Sequence, residues 1–173
     1  PFWVSILVRT YAWIVVLGNN GVVNRTLLDL GLVTEPLGLL YNELGVIVCT
    51  TNVLLPFLVL PLFATMLRVD QRVLQAASGL GAPPRTVFWR IFFPMTLPGL
   101  AAGCILVFIL TLGFFITPAI LGGGKVPMIA NMTDILINRM PKWELAAALS
   151  TLLLLVTFAC YAVYLRVSKR GTI

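Results

Sequence analysis

The amino-acid sequence predicts an all-α fold, a polytopic membrane helical bundle with about four spans, and three observations lead to it. Of the 173 residues, 60% are hydrophobic and 10% are charged, whereas about 25% of an average soluble domain is charged. The mean hydropathy is +1.02. Charge-free apolar stretches recur along the chain, and roughly 20 such residues in a helix cross the bilayer core. This composition excludes a water-soluble domain, a disordered chain and, despite a pI of about 9.7, a nucleic-acid-binding protein.

The positions of the charged residues define the four spans. Residues 2–18 form the first span, which is truncated and interrupted by Arg9. The other three lie in windows without a charge: 24 residues at 44–67, 34 at 91–124 and 21 at 145–165. The second of these windows closes on ITPAILGGG, which predicts a helix end followed by a loop. The chain starts inside an apolar run without Met or a basic leader, so we expect it to begin part-way through a longer protein.

The distribution of basic residues predicts the orientation. The segment 68–90 and the tail 166–173 together carry seven Lys and Arg residues against Asp70 alone. The loops 19–43 and 125–144 carry four basic residues against five acids. Because Lys and Arg are enriched in cytoplasmic loops, we expect 68–90 and the C-terminus to lie in the cytoplasm.

No cofactor, metal or catalytic site is predicted. The sequence has no histidine, and Cys49, Cys104 and Cys160 all lie in apolar windows without a CxxC pair. We interpret them as small buried hydrophobic residues. The run GGGK at 122–125 lacks the spacing of a phosphate-binding loop and is interpreted as a flexible turn.

The predicted cytoplasmic segment contains a short amphipathic helix over residues 72–80. Its narrow apolar face consists mostly of small residues at helical spacing, namely Val73, Ala76, Ala77 and Leu80. Gly81 stands where a helix ends, and Pro83 and Pro84 prevent its continuation. A helix this short is marginal in water and requires packing against other structure. These features predict a docking element.

The segment that begins with this helix resembles the EAA loop of ABC importer permeases. Residues 75–94 contain QAASGLG, nine further residues and then IFFP, and the family pattern is Glu-Ala-Ala, three residues, Gly, nine residues and Ile-x-Leu-Pro. Gln75 stands where the family has Glu, and Phe93 where it has Leu. Three other stretches resemble the spermidine/putrescine type of permease: PFWVSILVRTYAW, LLPFLVLPLF and GFFITPAILGGG.

This resemblance implies a type I importer permease fold in the bacterial inner membrane. The chain would form one transmembrane domain over 1–173, with 68–90 as its coupling loop, and two further spans and part of a third would precede it. It implies no enzymatic activity, because ATP hydrolysis resides in a separate ATPase subunit. Expected partners are that ATPase, a second permease subunit that is identical or different, a periplasmic or extracellular substrate-binding protein, and the lipid bilayer. The residues implied to contact the ATPase are Gln75, Ala76, Ala77, Ser78, Leu80 and Gly81.

Sparse polar residues within the spans are candidates for lining a translocation pathway. A charged side chain such as Arg9 inside a span costs free energy unless it is solvated or paired. Arg9 therefore faces a water-filled cavity or an ion-pair partner, or else its side chain extends to the membrane interface. Asn52, Thr111 and Thr117 are further candidates, although buried Thr in membrane helices commonly bonds backbone carbonyls. Glycines at 99, 103 and 113 are expected to permit close helix contacts.

The segment 126–144 predicts an amphipathic helix at the outer face, with Asp134 and Asn138 facing outward. It is either a lid or docking surface for the binding protein, or a brace between the last two spans. Taken together, the sequence predicts an importer permease for a small solute, with a polyamine as the leading substrate. The alternatives are an ion-coupled secondary transporter, which would require intramembrane acids or histidines, an importer permease for another small solute, and a passive channel or scaffold.

Overall fold

The computed structural model describes residues 4–170, excepting the side chains of residues 168–170. This part of the chain contains nine α-helices, one π-helical segment and no strand. Two parts of the sequence predictions lie outside the described part of the chain: residues 2–3 of the expected first span, and the side chains of Lys169 and Arg170 in the basic C-terminal tail. The helices are α1 (Ile6–Leu17), α2 (Val22–Asp29), α3 (Glu43–Leu67), α4 (Gln71–Gly79), α5 (Pro84–Val87), α6 (Phe93–Leu112), α7 (Ile116–Leu121), α8 (Ile129–Asn138) and α9 (Trp143–Arg170), and the π-helical segment is Phe88–Phe92.

Four stretches within the described residues are long and apolar enough to cross a membrane, which confirms the expected number of spans and the fold class. Charged residues are confined to their ends or to the segments between them, except for Arg9 and Arg25 in the first and Arg85 and Arg90 in the third. The four stretches are Ile6–Asp29, Glu43–Leu67, Pro84–Leu112 and Trp143–Val167.

α1 lies within the first span that the sequence predicts at residues 2–18, but the apolar stretch continues beyond it into a second helix. α1 ends at Leu17, and a tight turn follows in which the Gly21 amide donates to the Gly18 carbonyl at 2.8 Å. A side chain at position 21 would place its Cβ 2.6 Å from the Val15 carbonyl oxygen, so this turn requires glycine. α2 then forms within 19–43, a segment that the charge pattern identifies only as a loop.

The helices pack into two compact units. The first comprises residues 1–54 and 110–155, and the second comprises residues 55–109 and 156–173. In the first unit, Val46, Cys49 and Leu121 form a buried cluster against which Trp13 of α1 and three other apolar side chains pack. Burial of Cys49 is therefore as expected, whereas Cys104 is exposed. The expectation was wrong for Cys104 because a residue in an apolar window need not face another helix when lipid covers the surface.

Close helix contact in the second unit depends on glycines of α6. A Cβ at position 99 would lie 2.5 Å from the Cβ of Thr65 on α3, and one at position 103 would lie 3.0 Å from the Leu58 carbonyl oxygen. Small residues let helix backbones approach in this way. The expectation is confirmed for Gly99 and Gly103 and wrong for Gly113, since no described residue beyond its chain neighbours has an atom within 4 Å of a Cβ built there.

The stretch ITPAILGGG is more ordered than the predicted helix end and loop. α6 stops at Leu112, and residues 116–121 form the separate short helix α7. Pro118 is its third residue, where the missing N–H is tolerated because the first turn has no carbonyl to bond. Leu121 and Pro118 are buried, so packing within the first unit stabilises a helix too short to persist alone.

Candidate functional site

The short helix α4 lies between two of the candidate spans. It begins where expected, because the Asp70 side chain accepts a hydrogen bond from the Arg72 amide at 2.8 Å and caps the first turn. No residue of α4 is buried within the described structure. Leu74 and Ala77 are half-buried, so one face of the helix packs lightly and the other is open.

α4 ends in a complete Schellman motif. The Gly81 amide donates to the Ser78 carbonyl at 3.0 Å, and the Ala82 amide donates to the Ala77 carbonyl at 3.2 Å. Gly81 has φ +83°, a left-handed conformation that L-residues adopt only with strain. The cap fixes the end of the helix and leaves the Leu80 side chain 90% exposed.

The six residues implied to contact an ATPase therefore come together on α4 and its C-terminal cap. Gln75, Ala76, Ser78, Leu80 and Gly81 are exposed, and Ala77 is half-buried. An exposed apolar Leu beside small side chains is a surface that suits insertion into a partner's groove. The contact itself stays a prediction.

The segment that follows α4 contains a feature that the sequence reasoning missed. Pro83 and Pro84 begin α5, and the chain then widens into the π-helical segment, in which the Phe93 amide donates to the Phe88 carbonyl. Pro94 has no N–H for the Arg90 carbonyl, so an uninterrupted α-helical register cannot pass this point. Four aromatic rings cluster here with centroid separations of 5.3–6.5 Å. The run Phe92-Phe93-Pro94 was the feature of the sequence that could have predicted an irregular turn here.

One pathway candidate, Thr117, lies against Cys49 of α3. Thr117 of α7 is fully buried, its hydroxyl lies 3.3 Å from the Thr10 hydroxyl of α1, and it interacts with the Cys49 thiol. Arg9, on the same helix as Thr10, is half-buried and donates to the Val4 carbonyl at 3.4 Å. The structure thus gathers small polar groups from three helices, and Thr10 was not among those singled out from the sequence.

The remaining pathway candidates lie elsewhere on their helices. Asn52 is exposed on α3, and Thr111 is half-buried near the end of α6. Thr50, two positions before Asn52 on the same helix, is buried, and its hydroxyl has no hydrogen-bond partner within the part of the chain that the structure describes. A contact of Asn52 or Thr111 with a transported solute stays a prediction.

The amphipathic segment at 126–144 forms α8, as the sequence predicts. Asn138 is exposed and donates through Nδ2 to Asp134 Oδ1 at 2.6 Å, and Asp134 is half-buried. The spacing of four residues places these side chains on one face. Beside them, the buried Asn131 donates to the Phe115 carbonyl at 3.2 Å and borders a cavity of about 290 Å³. Asn131 and this cavity were missed, because nothing in the sequence distinguishes a buried Asn from an exposed one.

Comparisons with known proteins show the family of the chain. The family model of binding-protein-dependent transport system inner membrane components matches residues 1–171. The spermidine/putrescine transport system permease protein PotB of Haemophilus influenzae is 37% identical over 171 residues, which are 98% of this chain and 59% of the relative. PotB of Escherichia coli K12 is 35% identical over 98% of this chain and 62% of its own length. The inner membrane ABC transporter permease protein YdcU of the same organism is 36% identical over 98% of this chain and 56% of its own length.

The chain spans about three fifths of the length of these curated relatives. Within that span, the match to the family covers all four candidate spans and the short helix between the second and the third. The chain belongs to the family of binding-protein-dependent transport system inner membrane components, which are transport components of the inner membrane.

Proposed function

We propose that the protein is the transmembrane permease subunit of an ATP-driven importer of polyamines. The observation that carries the proposal is α4, an exposed and doubly capped helix between two spans that bears the EAA-type pattern. The substrate class is supported by the relatives, whose names specify spermidine and putrescine. In this proposal the chain is not an enzyme, and a separate ATPase subunit hydrolyses ATP.

α4 transmits the movement of the ATPase to the spans. Its exposed Ala76 and Leu80 enter a groove on the ATPase, and its two caps keep it rigid as the groove moves. Rigid-body motion of packed helices about an interface is an established way to alternate between two states. Since α4 lies between α3 and α5 in the chain, its displacement is passed directly to two spans.

The charge pattern supports the orientation, and membership of the family supports the other partners. The loop 68–90 and the C-terminus face the cytoplasm, where their excess of Lys and Arg is favoured. α8 then lies at the outer face, where Asp134 and Asn138 contact the substrate-binding protein. A second permease subunit, identical or different, completes the pathway.

The pathway itself is lined by a subset of the polar residues Arg9, Asn52, Thr111 and Thr117. Thr117 has no exposed surface in the first unit, so it reaches a solute only in a state in which α1, α3 and α7 separate. Interhelical hydrogen bonds of membrane proteins contribute only about 0.6 kcal/mol on average. The contacts of Thr117 are therefore compatible with such separation.

The function is tested by reconstituting the full-length permease with its ATPase, its partner permease and its binding protein in liposomes. We expect spermidine to accumulate only when ATP and the binding protein are both supplied. Dissipating Na⁺ and proton gradients should not reduce the uptake. Uptake that needs no ATP and collapses with an ion gradient would instead establish a secondary transporter.

Gly81→Val provides a sharper test of the coupling role of α4. A β-branched residue in the left-handed conformation costs about 1–2 kcal/mol and should loosen the C-terminal cap. We expect ATP-driven uptake to fall by roughly tenfold or more, as for a loss of about 1.4 kcal/mol or more of coupling free energy, while the amount of protein in the membrane is unchanged. The readouts are spermidine uptake and co-purification of the ATPase subunit.

Gly31→Val is the matched control for this variant. Gly31 has φ +67° and ends α2 with the same pair of hydrogen bonds, from its own amide to Leu28 and from Leu32 to Leu27. Among the described residues beyond the chain neighbours, none has an atom within 4 Å of a Cβ at either glycine, so both substitutions impose left-handed backbone strain without a clash. Gly31→Val should leave ATPase binding intact. Normal uptake by the Gly81→Val protein would remove α4 from the coupling mechanism.

A further inference from the structure

The helical segment that leads into α6 carries a stripe of residues that changes from charged to apolar along its length. Arg85, Trp89, Phe93 and Leu97 follow one another at intervals of four residues, the spacing that places side chains on one face of a helix. The rings of Trp89 and Phe93 lie 5.3 Å apart between centroids, so these two residues share the face. We call the four residues the interfacial stripe, and Arg90 follows Trp89 beside it.

The interfacial stripe is open within the part of the chain that the structure describes. Arg85 and Arg90 are exposed, Trp89 is 62% exposed and Leu97 is 44% exposed. Neither guanidinium group has an ion-pair partner among the described residues. The only acid of the segment 68–90 is Asp70, whose side chain accepts from an amide of α4. Two positive charges and an aromatic ring are therefore available to a partner outside these residues.

The length of α6 gives the depth of the interfacial stripe in the bilayer. α6 has 20 residues, and about 20 helical residues cross the hydrocarbon core. The candidate span that contains α6 is longer and begins at Pro84. Trp89 and Arg90 precede the start of α6 by only four and three residues, so they lie within about 6 Å of the core. The polar headgroups of one leaflet occupy roughly that thickness.

A phospholipid matches each part of the stripe at this depth. Guanidinium groups donate paired hydrogen bonds to phosphate oxygens, so Arg85 and Arg90 suit a phosphate. Trp is favoured at the headgroup level, because its ring is apolar and its indole N–H donates. Phe93 and Leu97 then lie inside the core, where acyl chains surround them. Since the stripe offers two positive charges and no acid, a headgroup with a net negative charge is favoured over a zwitterionic one.

The ATPase subunit is the other macromolecule that is proposed to contact this loop, and it fits the stripe less well. Phe93 and Leu97 belong to α6 and continue the stripe into the candidate span. A subunit outside the membrane does not reach that depth, whereas a single lipid covers the stripe from its charged end to its apolar end.

We propose that the interfacial stripe and Arg90 bind an anionic phospholipid, with both guanidinium groups on its phosphate and Phe93 and Leu97 against an acyl chain. The inference rests on membership of the family of inner membrane components. It depends neither on the transported substrate nor on the coupling role of α4. The bound lipid fixes the depth at which this span enters the membrane.

The test measures quenching of Trp89 fluorescence by brominated lipids. The full-length permease, with its other tryptophans replaced by phenylalanine, is placed in phosphatidylcholine nanodiscs that contain brominated phosphatidylglycerol or brominated phosphatidylcholine. We expect the brominated phosphatidylglycerol to quench Trp89 at a mole fraction roughly tenfold lower, since two basic residues attract its one negative charge.

Arg85→Gln and Arg90→Gln each remove one of the two charges at an exposed position. Each should reduce the preference for phosphatidylglycerol by about fivefold, which corresponds to the contribution of one basic residue near an anionic surface. Arg72→Gln is the matched control, because it makes the same change of charge in the same loop but on α4, outside the stripe. It should leave the preference unchanged.

Native mass spectrometry of the full-length protein with its natural tryptophans provides a second measurement. We expect the wild type to retain phosphatidylglycerol in preference to phosphatidylcholine, and Arg85→Gln and Arg90→Gln to lose this preference. Soluble glycerol phosphate should not displace the lipid, because it makes no contact with Phe93 and Leu97.

Three results would overturn the site: quenching by neither lipid, which would show that protein covers the stripe, equal quenching by both lipids, or an unchanged preference in both arginine variants. If these variants reduce only the co-purification of the ATPase subunit, the stripe belongs to that contact and the lipid site is refuted. Displacement by glycerol phosphate would refute it as well, since the site would then bind a soluble phosphate.

Discussion

At the scale of single residues, buried side-chain amides hold the irregular segments of the first unit in place. Asn24 of α2 is fully buried and makes three hydrogen bonds. Its Nδ2 donates to the carbonyls of Gly18 and Leu37, each at 3.0 Å, and its Oδ1 accepts from the Leu37 amide at 2.9 Å. One side chain therefore connects the turn after α1 to the irregular segment 30–42, which follows α2.

We expect Asn24→Ala to lower the free energy of unfolding by roughly 2–4 kcal/mol, because it removes three hydrogen bonds between a buried side chain and part-buried backbone groups. Hydrogen exchange at Leu37 should accelerate in the same variant, since its amide loses its acceptor. Thermal unfolding and hydrogen exchange of the purified full-length protein measure the two effects. Asn20→Ala, at an exposed position in the adjacent turn, is the control and should change neither quantity. An Asn24→Ala protein as stable as wild type would contradict this role.

At the scale of elements, the short helices depend on their caps. α4 has nine residues and none of them is buried, so little tertiary packing compensates for the cost of forming it. The Asp70 cap at its start and the Gly81 motif at its end satisfy backbone groups that would otherwise depend on water. Both features were readable from the sequence, since cap residues act locally.

Asp70→Ala should destabilise α4 by about 1 kcal/mol, the usual loss when an N-cap residue is replaced by alanine. Amide exchange over residues 71–79 should accelerate by roughly fivefold, the factor that corresponds to this free energy. Asp70→Asn retains an oxygen acceptor for the Arg72 amide and should exchange nearly as the wild type does. Hydrogen exchange with mass spectrometry on the full-length protein distinguishes the two. Equal exchange in the alanine variant would show that packing, and not the cap, maintains α4.

The π-helical segment is a second local element, but the sequence predicts it less clearly than it predicts the caps of α4. Residues 88–92 adopt the wider turn immediately before Pro94. The proline indicates that an α-helical hydrogen bond is missing, but it does not indicate whether the chain responds with a kink, a break or a π turn. Aromatic packing among four side chains accompanies the outcome observed here.

At the scale of the whole molecule, the arrangement of charge around four apolar stretches governs the topology. The basic excess lies in the loop that contains α4 and in the C-terminal tail, and the loops 19–43 and 125–144 are slightly acidic. Ser78 on α4 and Asn138 on α8 are both exposed on short helices. A cysteine at either position can therefore report the side of the membrane on which its segment lies.

We expect a membrane-impermeant maleimide to label Asn138→Cys in intact cells and to label Ser78→Cys only after permeabilisation. The positive-inside rule places the two positions on opposite sides. The three native cysteines are first replaced, so that each protein carries a single thiol. Labelling of Ser78→Cys in intact cells, with Asn138→Cys protected, would reverse the orientation.

The sequence by itself determined the features that depend on composition and on near neighbours. The number of spans, the helix at 126–144, the start and end of α4 and the family all follow from charge-free lengths, helical spacing, caps and a spaced motif. These quantities are local, because each is set by residues a few positions apart.

Only the tertiary structure decided which polar side chains are buried and which of them meet. Thr10 and Thr117 lie 107 positions apart and touch, Asn131 borders a cavity with an unpartnered oxygen, and Cys104 is exposed despite its apolar window. In a membrane protein the hydrophobic pattern does not distinguish a face against lipid from a face against another helix, since both are apolar. Packing between distant segments makes that distinction, and the candidate solute contacts depend on it.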